Sequence, residues 1–198
     1  MKPFKYISAL ICSLFVAGAC TGAGSPELYT ISVEPYKPAN EEEVRYSECT
    51  VTFGDEVSIS GQGAWYKGSD IVISEDGIYR ITGDYDGGCI IVDADGIVKI
   101  IFSDANISCP DGCVLVSSAD RLIIASEGTS TITGIDDARQ AAVCSDGALL
   151  IVGTGKLSIN GGVFSRGGIK FGRSVSTLCQ ILYTDDGEYI PDTLNINS

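Results

Sequence analysis

The 198-residue chain contains no histidine. Without imidazole there is no Ser-His catalytic triad and no His-ligated zinc. Positive charge is also scarce: 13 Lys plus Arg stand against 26 Asp plus Glu, a formal net charge of −13. An imbalance of that size repels nucleic-acid phosphates and anionic lipid, so no nucleic-acid partner is expected. It suits a soluble surface outside the cell, or a site for cations. No 3.6-residue apolar period persists long enough to supply crossover helices. The cysteines are not spaced in zinc-type pairs, and the apolar run Ile7 to Val16 is too short for a membrane span.

That run belongs to the opening "MKPFKYISALICSLFVAGAC", which has the form of an export signal. Lys2 and Lys5 form its positive end and Ala17-Gly18-Ala19 its small-residue cleavage site. Cys20 directly after Gly-Ala resembles a bacterial lipobox, with Ala17 where Leu is usual, so lipidation is expected at Cys20. The chain divides into a lipoprotein signal peptide (1–19), a tether (20–48), a repeat domain (49–175) and a divergent cap or truncated tail (176–198). The tether carries "TGAGSPE", Pro35, Pro38 and the solvated run Glu41 to Glu43. The expected location is the cell envelope, lipid-anchored and either surface-exposed or periplasmic. Export permits disulfides among Cys49, Cys89, Cys109, Cys113, Cys144 and Cys179, in pairings that spacing does not choose.

Beyond the tether the chain repeats itself. "CIIVDADGIVKI" from Cys89 returns as "CVLVSSADRLII" from Cys113, 24 residues on (113 − 89). "AAVCSDGALLIVGTGKLSI" and "GGVFSRGGIKF" follow in the same mould: a short apolar strand, a Ser/Asp/Gly corner, then a second apolar strand. Strand-and-turn repeats of this length without helices predict coils stacked on one another, a parallel β-helix. Strands of adjacent coils lie ~4.8 Å apart, so equivalent positions stack as columns. The alignment places Val92, Val116 and Cys144 in one inward column, with Cys144 a small buried hydrophobe, and stacks Cys89 on Cys113 on the opposite face. The longest step contains "TGIDDARQAA" (Thr133 to Ala142) and predicts a loop there.

The ordered phrases "I.ISEDGIYRITG", "IIVDADG", "SSADRL" and "GTGKLSING", between Val57 and Phe171, resemble a bacterial family of calcium-associated carbohydrate-binding domains. The resemblance implies a right-handed parallel β-helix, all-β and short here, with terminal caps, like that of pectate lyases. It also implies binding of plant cell wall polymers such as cellulose and polygalacturonate. The family often writes "SKDDL" at its later corners, where this chain has "SDGAL" (Ser145 to Leu149) and "SRGGI" (Ser165 to Ile169).

The candidate site residues are of two kinds. Asp93, Asp95, Asp120, Asp136, Asp137 and Asp146 sit at or beside successive corners. Ca²⁺ takes six to eight oxygens from such carboxylates, carbonyls and water, and would also let an acidic chain meet an acidic polymer. The same residues are ordinary turn formers. Trp65 and Tyr66, in the Gly-rich "GQGAWYKGS", offer aromatic faces for sugar rings; Trp65 is equally suited to plugging the end of the solenoid. Tyr79, Tyr85 and Tyr183 are weaker candidates. A calcium-dependent lyase would need a basic residue from among Lys99, Arg121, Lys156 and Lys170. The sequence favours a noncatalytic polysaccharide-binding lipoprotein over that lyase and over a purely structural or adhesive surface protein.

Overall fold

The computed structural model describes residues 48–109, 112–134, 141–173, 175–177, 179–191 and 193–197. The leader with Cys20, the tether up to residue 47, and Asp136 and Asp137 lie outside the described residues. Every regular element among the described residues is a strand, and none of them forms a helix able to cross a membrane.

Two hairpins come first: β1 (Glu48–Thr52) with β2 (Ser58–Ser60), and β3 (Ala64–Lys67) with β4 (Asp70–Ile73). The windings then run through β5 (Gly77–Asp86), β6 (Ile90–Val92) and β7 (Ile97–Ser108). They continue as β8 (Leu115–Ser117), β9 (Arg121–Glu127) and β10 (Thr129–Thr133), then β11 (Val143–Ser145), β12 (Ala148–Gly153) and β13 (Lys156–Asn160). The chain finishes with β14 (Val163–Ser165), β15 (Ile169–Phe171), β16 (Leu182–Thr184), β17 (Gly187–Ile190) and β18 (Leu194–Ile196).

Strands one winding apart pair in parallel, giving a β-solenoid of about three turns with three walls. The first wall is β4, β6, β8, β11 and β14. The second joins the opening halves of β5 and β7 to β9, β12 and β15. The third joins the closing halves of β5 and β7 to β10 and β13. Period-2 alternation sends Ile, Val and Leu from all three walls into one interior, where Ile71, Ile100, Ile107, Leu115, Ile124, Ile132 and Ile159 are fully buried. The parallel pairing, the helix-free coils and the repeat are as the sequence predicts.

The bend between the second and third walls needs unusual backbone. Gly83 has φ 92 at a register shift in β5, and a Cβ there would come within 2.0 Å of the Phe53 carbonyl oxygen. One winding on, Asp104 adopts φ 50 and its carboxylate accepts a hydrogen bond from the Thr129 N–H (2.8 Å). A Cβ on Gly128 would strike that carboxylate, so the stacked corner requires glycine.

The predicted register is corrected by one residue in the first wall. Ile90 lies beside Leu115, Ile91 beside Val116, and Val92 beside Ser117, while in the second wall Ile100 still lies beside Ile124. The reason is corner length: residues 93–96 separate β6 from β7, whereas only residues 118–120 separate β8 from β9. Val116 and Cys144 therefore face outward, and the inward column is Val92, Ser117, Ser145, Ser165. These three serines are buried and bond to corner backbone. Ser117 Oγ accepts from the Ala119 N–H, and the Ser145 and Ser165 hydroxyls both donate to the Gly147 carbonyl. The same slip puts Val114, not Cys113, beside Cys89 in the ladder.

Antiparallel strands cover edges at both ends. At the start, β3 pairs antiparallel with β4, and β2 with β1. At the end, β17 pairs antiparallel with β14, and β18 with β13. These short antiparallel strands occupy edges that would otherwise offer unpaired N–H and C=O groups to another chain.

Candidate functional site

On the third wall, the closing strand of each winding reads polar, apolar, polar: Asp84-Tyr85-Asp86, Asn106-Ile107-Ser108, Thr131-Ile132-Thr133 and Ser158-Ile159-Asn160. The middle isoleucines fill the interior and the flanking residues point out. Parallel register then builds two columns. One is Asp84, Asn106, Thr131, Ser158 and, across the antiparallel cap, Asn195; the other is Asp86, Ser108, Thr133 and Asn160.

Side-chain hydrogen bonds join neighbouring windings at both ends of each column. The Asn106 amide donates to Asp84 (2.7 Å) and the Ser108 hydroxyl to Asp86 (2.5 Å). The Asn160 amide donates to the Thr133 hydroxyl (3.1 Å), and the Ser158 hydroxyl to the Asn195 side-chain oxygen (2.9 Å). These bonds fix each side chain while leaving further donors and acceptors facing solvent. Five strands at ~4.8 Å spacing give a polar track ~19 Å long. A shallow groove of about 370 Å³ lies on it, lined by Asp84, Tyr85, Asp86, Asn106, Ile107, Ser108, Thr131 and Thr133.

Tyrosines gather at the first end of this track. Tyr85 stacks on Phe53 with ring centroids 4.3 Å apart, its hydroxyl donates to the Ser69 carbonyl (2.5 Å), and the Tyr66 hydroxyl lies 3.5 Å away. Burial, the Tyr66 hydroxyl and nearby Asp70 all hold the Tyr85 phenol above its usual range. Tyr85 thus stays a neutral hydroxyl at any physiological pH.

The aromatic pair chosen from sequence is split by strand alternation. Tyr66 stands opposite Ile71 on the inward side and reaches Tyr85, whereas Trp65 stands opposite Val72 on the outward side. Trp65 is 44% exposed and does not plug the solenoid. It begins a different row, which crosses the first wall as Val72, Ile91, Val116, Cys144, Phe164, Tyr189 and Leu182. Cys144 is therefore half-buried on the outer surface, not a core residue. Tyr79 is fully buried, its hydroxyl donating to the Glu75 carbonyl (2.8 Å), and burial pushes its pKa up to about 12. Tyr183 is exposed on β16.

Asp93, Asp95, Asp120 and Asp146 are exposed and distributed over three successive corners. Asp146 is paired with Arg166 (2.9 Å). Among the described residues no three Asp, Glu or Cys side chains assemble into a metal-holding group. None of Lys99, Arg121, Lys156 and Lys170 lines the groove. The groove residues lie neither at the corners nor among the aromatic candidates, and their signal in the sequence is the recurring polar–apolar–polar triplet at the end of each repeat.

A solenoid whose interior is filled, and which presents a fixed track of hydroxyl, amide and carboxylate groups beside aromatic rings, has the surface of a module that holds a polar polymer. The chain belongs to a family of that kind: residues 67–195 match the family described as carbohydrate-binding domain-containing protein, a span running from the end of β3 into β18. It has a carbohydrate-binding domain, and its partner is a carbohydrate. The chain matches no curated protein and no solved structure.

Proposed function

We propose that this protein is a noncatalytic carbohydrate-binding lipoprotein that holds a polysaccharide chain along the two polar columns of the third wall. The observation that carries the proposal is the hydrogen-bonded pair of columns, Asp84 to Asn195 and Asp86 to Asn160, lying on the family-matched part of the chain. Preorganised donors and acceptors lose little freedom when a sugar hydroxyl replaces water, so the track binds with small ordering cost. Its length accommodates several sugar units, and the exposed Tyr66 offers a ring near one end.

The proposed ligands are plant cell wall polymers of the cellulose or polygalacturonate type. A neutral glucan meets the columns directly. An acidic polymer faces Asp84, Asp86 and a net charge of −13, so calcium belongs to the proposal as an ion shared between protein and polymer carboxylates. The expected lipid at Cys20 would keep the bound polysaccharide at the cell envelope.

Pull-down on cellulose and on polygalacturonate, each with calcium and with chelator, tests this reading. Retention on cellulose in both conditions, with retention on polygalacturonate lost in chelator, is expected. Appearance of unsaturated sugar products by absorbance would make the protein a lyase. Failure to bind either polymer or mucin glycans would leave a structural role.

A further inference from the structure

The corner where the third wall runs into the first gathers a second chemistry. Cys113 Sγ and Cys144 Sγ lie 3.4 Å apart although the residues are 31 positions apart in the chain. Backbone bonds hold this approach: the Val114 and Leu115 N–H groups both donate to the Ala142 carbonyl (2.9 and 3.1 Å), which fixes the residue after Cys113 against the chain two residues before Cys144. Gly134 packs so closely on Ala142 that a Cβ would come within 2.7 Å of it. Both thiols are half-buried, so a small reagent reaches them.

We propose that Cys113 and Cys144 are a disulfide-forming pair that clasps two successive windings at this corner. A low-molecular-weight disulfide is the oxidant. One protein thiolate attacks it, forming a mixed disulfide and releasing one thiol; the second attacks the mixed disulfide and releases the other. The two cysteines lose two protons and two electrons, one S–S bond forms in the protein, and one breaks in the oxidant. The sulfurs already touch, so closure requires a movement of ~1.4 Å and no change of strand register.

Neighbouring sulfurs do not compete equally. Cys89 is half-buried like the pair, and its N–H donates to the Asp70 carboxylate (3.0 Å). Burial, Cys109 and Asp70 push its thiol up to about 12, leaving almost no attacking thiolate at neutral pH. The 3.4 Å approach of its sulfur makes Cys144 the partner of Cys113. The bond would tie the outer row of the first wall to the turn before β8, adding a covalent cross-link to coils otherwise joined by hydrogen bonds and packing.

The full-length chain, oxidised with glutathione disulfide at neutral pH, alkylated and then cut with trypsin and an Asp-specific protease, gives the test. The Asp-specific cut separates Cys109 from Cys113. Mass spectrometry is expected to find the Cys113 and Cys144 peptides joined, and the joined species lost on reduction. C89S should keep the linkage; C113S and C144S should each abolish it. The midpoint of urea unfolding should shift upward on oxidation in wild type and stay unchanged in C144S. Linkage of Cys113 to Cys89 or Cys109, or alkylation of both Cys113 and Cys144 after oxidation, would overturn the proposal.

Discussion

On the third wall the outward positions are Asn106, Thr131, Ser158 and Ser108, Thr133, Asn160; on the first wall they are Ile91, Val116, Cys144 and Phe164. Both walls are parallel ladders of the same windings with the same spacing, and both send aliphatic side chains inward. The backbone is therefore indifferent to what stands outside. In the polar columns, neighbours at the two ends bond one another across windings, and the side chains keep surplus donors and acceptors. In the apolar row, neighbours cover one another, so Ile91, Val116, Cys144 and Phe164 are only half-exposed and contribute packing. Like-on-like stacking thus makes one face polar and the other apolar.

The largest effect should come from the interior that both faces share. Ile132 is fully buried beneath the polar columns, so Ile132→Ala should cost about 3 kcal/mol in urea unfolding, from lost burial plus the cavity left behind. A cost below ~1 kcal/mol would mean the third wall is not packed on the core as described.

Next in size is the direct test of the two faces. Asn106→Ala and Thr133→Ala should each weaken polysaccharide binding ~5-fold and together ~30-fold, at about 1 kcal/mol per hydrogen bond. Affinity electrophoresis reads this, and circular dichroism should show the fold unchanged. An undiminished affinity in the double variant would move the ligand off the polar wall.

A smaller effect is expected at alkaline pH. Tyr79 is raised from 10.0 to about 12 in the folded chain, chiefly by burial, so the folded state holds the phenolic proton more tightly than the unfolded one. Its contribution is complete below pH 10.0 and is lost as pH climbs toward about 12. Urea midpoints compared at about pH 9 and about pH 11 should fall in wild type and fall less in Tyr79→Phe. Equal falls would place the alkaline transition elsewhere.

The smallest effect is expected at the aromatic residue most conspicuous in the sequence. Trp65→Ala removes an exposed side chain at the edge of the apolar row, and should change stability by less than about 0.5 kcal/mol and polysaccharide affinity by less than ~2-fold. A loss as large as that of the Asn106/Thr133 pair would reverse the roles of the two faces.

Much of this architecture is legible in the residues. Alternating Ile and Val, Ser/Asp/Gly corners and a near-regular repeat call for stacked strands, because like positions of successive coils then bury their apolar faces in one column. The polar–apolar–polar triplets are equally visible, since period-2 alternation is a property of each strand alone. The single-residue slip between Val92 and Val116 was hidden by matching cysteines, Cys89 and Cys113, that suggest a register they do not share. A corner of four residues (93–96) followed by one of three (118–120) decides it, and such a difference turns every side chain of the next strand over.

The sequence by itself determined that the strands alternate, that they recur, and that they stack in parallel, because these follow from local periodicity and from the need to bury apolar faces. Only the tertiary structure decided which residues meet across windings: Asp84 with Asn106, Ser158 with Asn195, Tyr66 with Tyr85, Cys113 with Cys144. Those contacts depend on corner lengths summed around each turn, so they exist only once the coil closes on its neighbour.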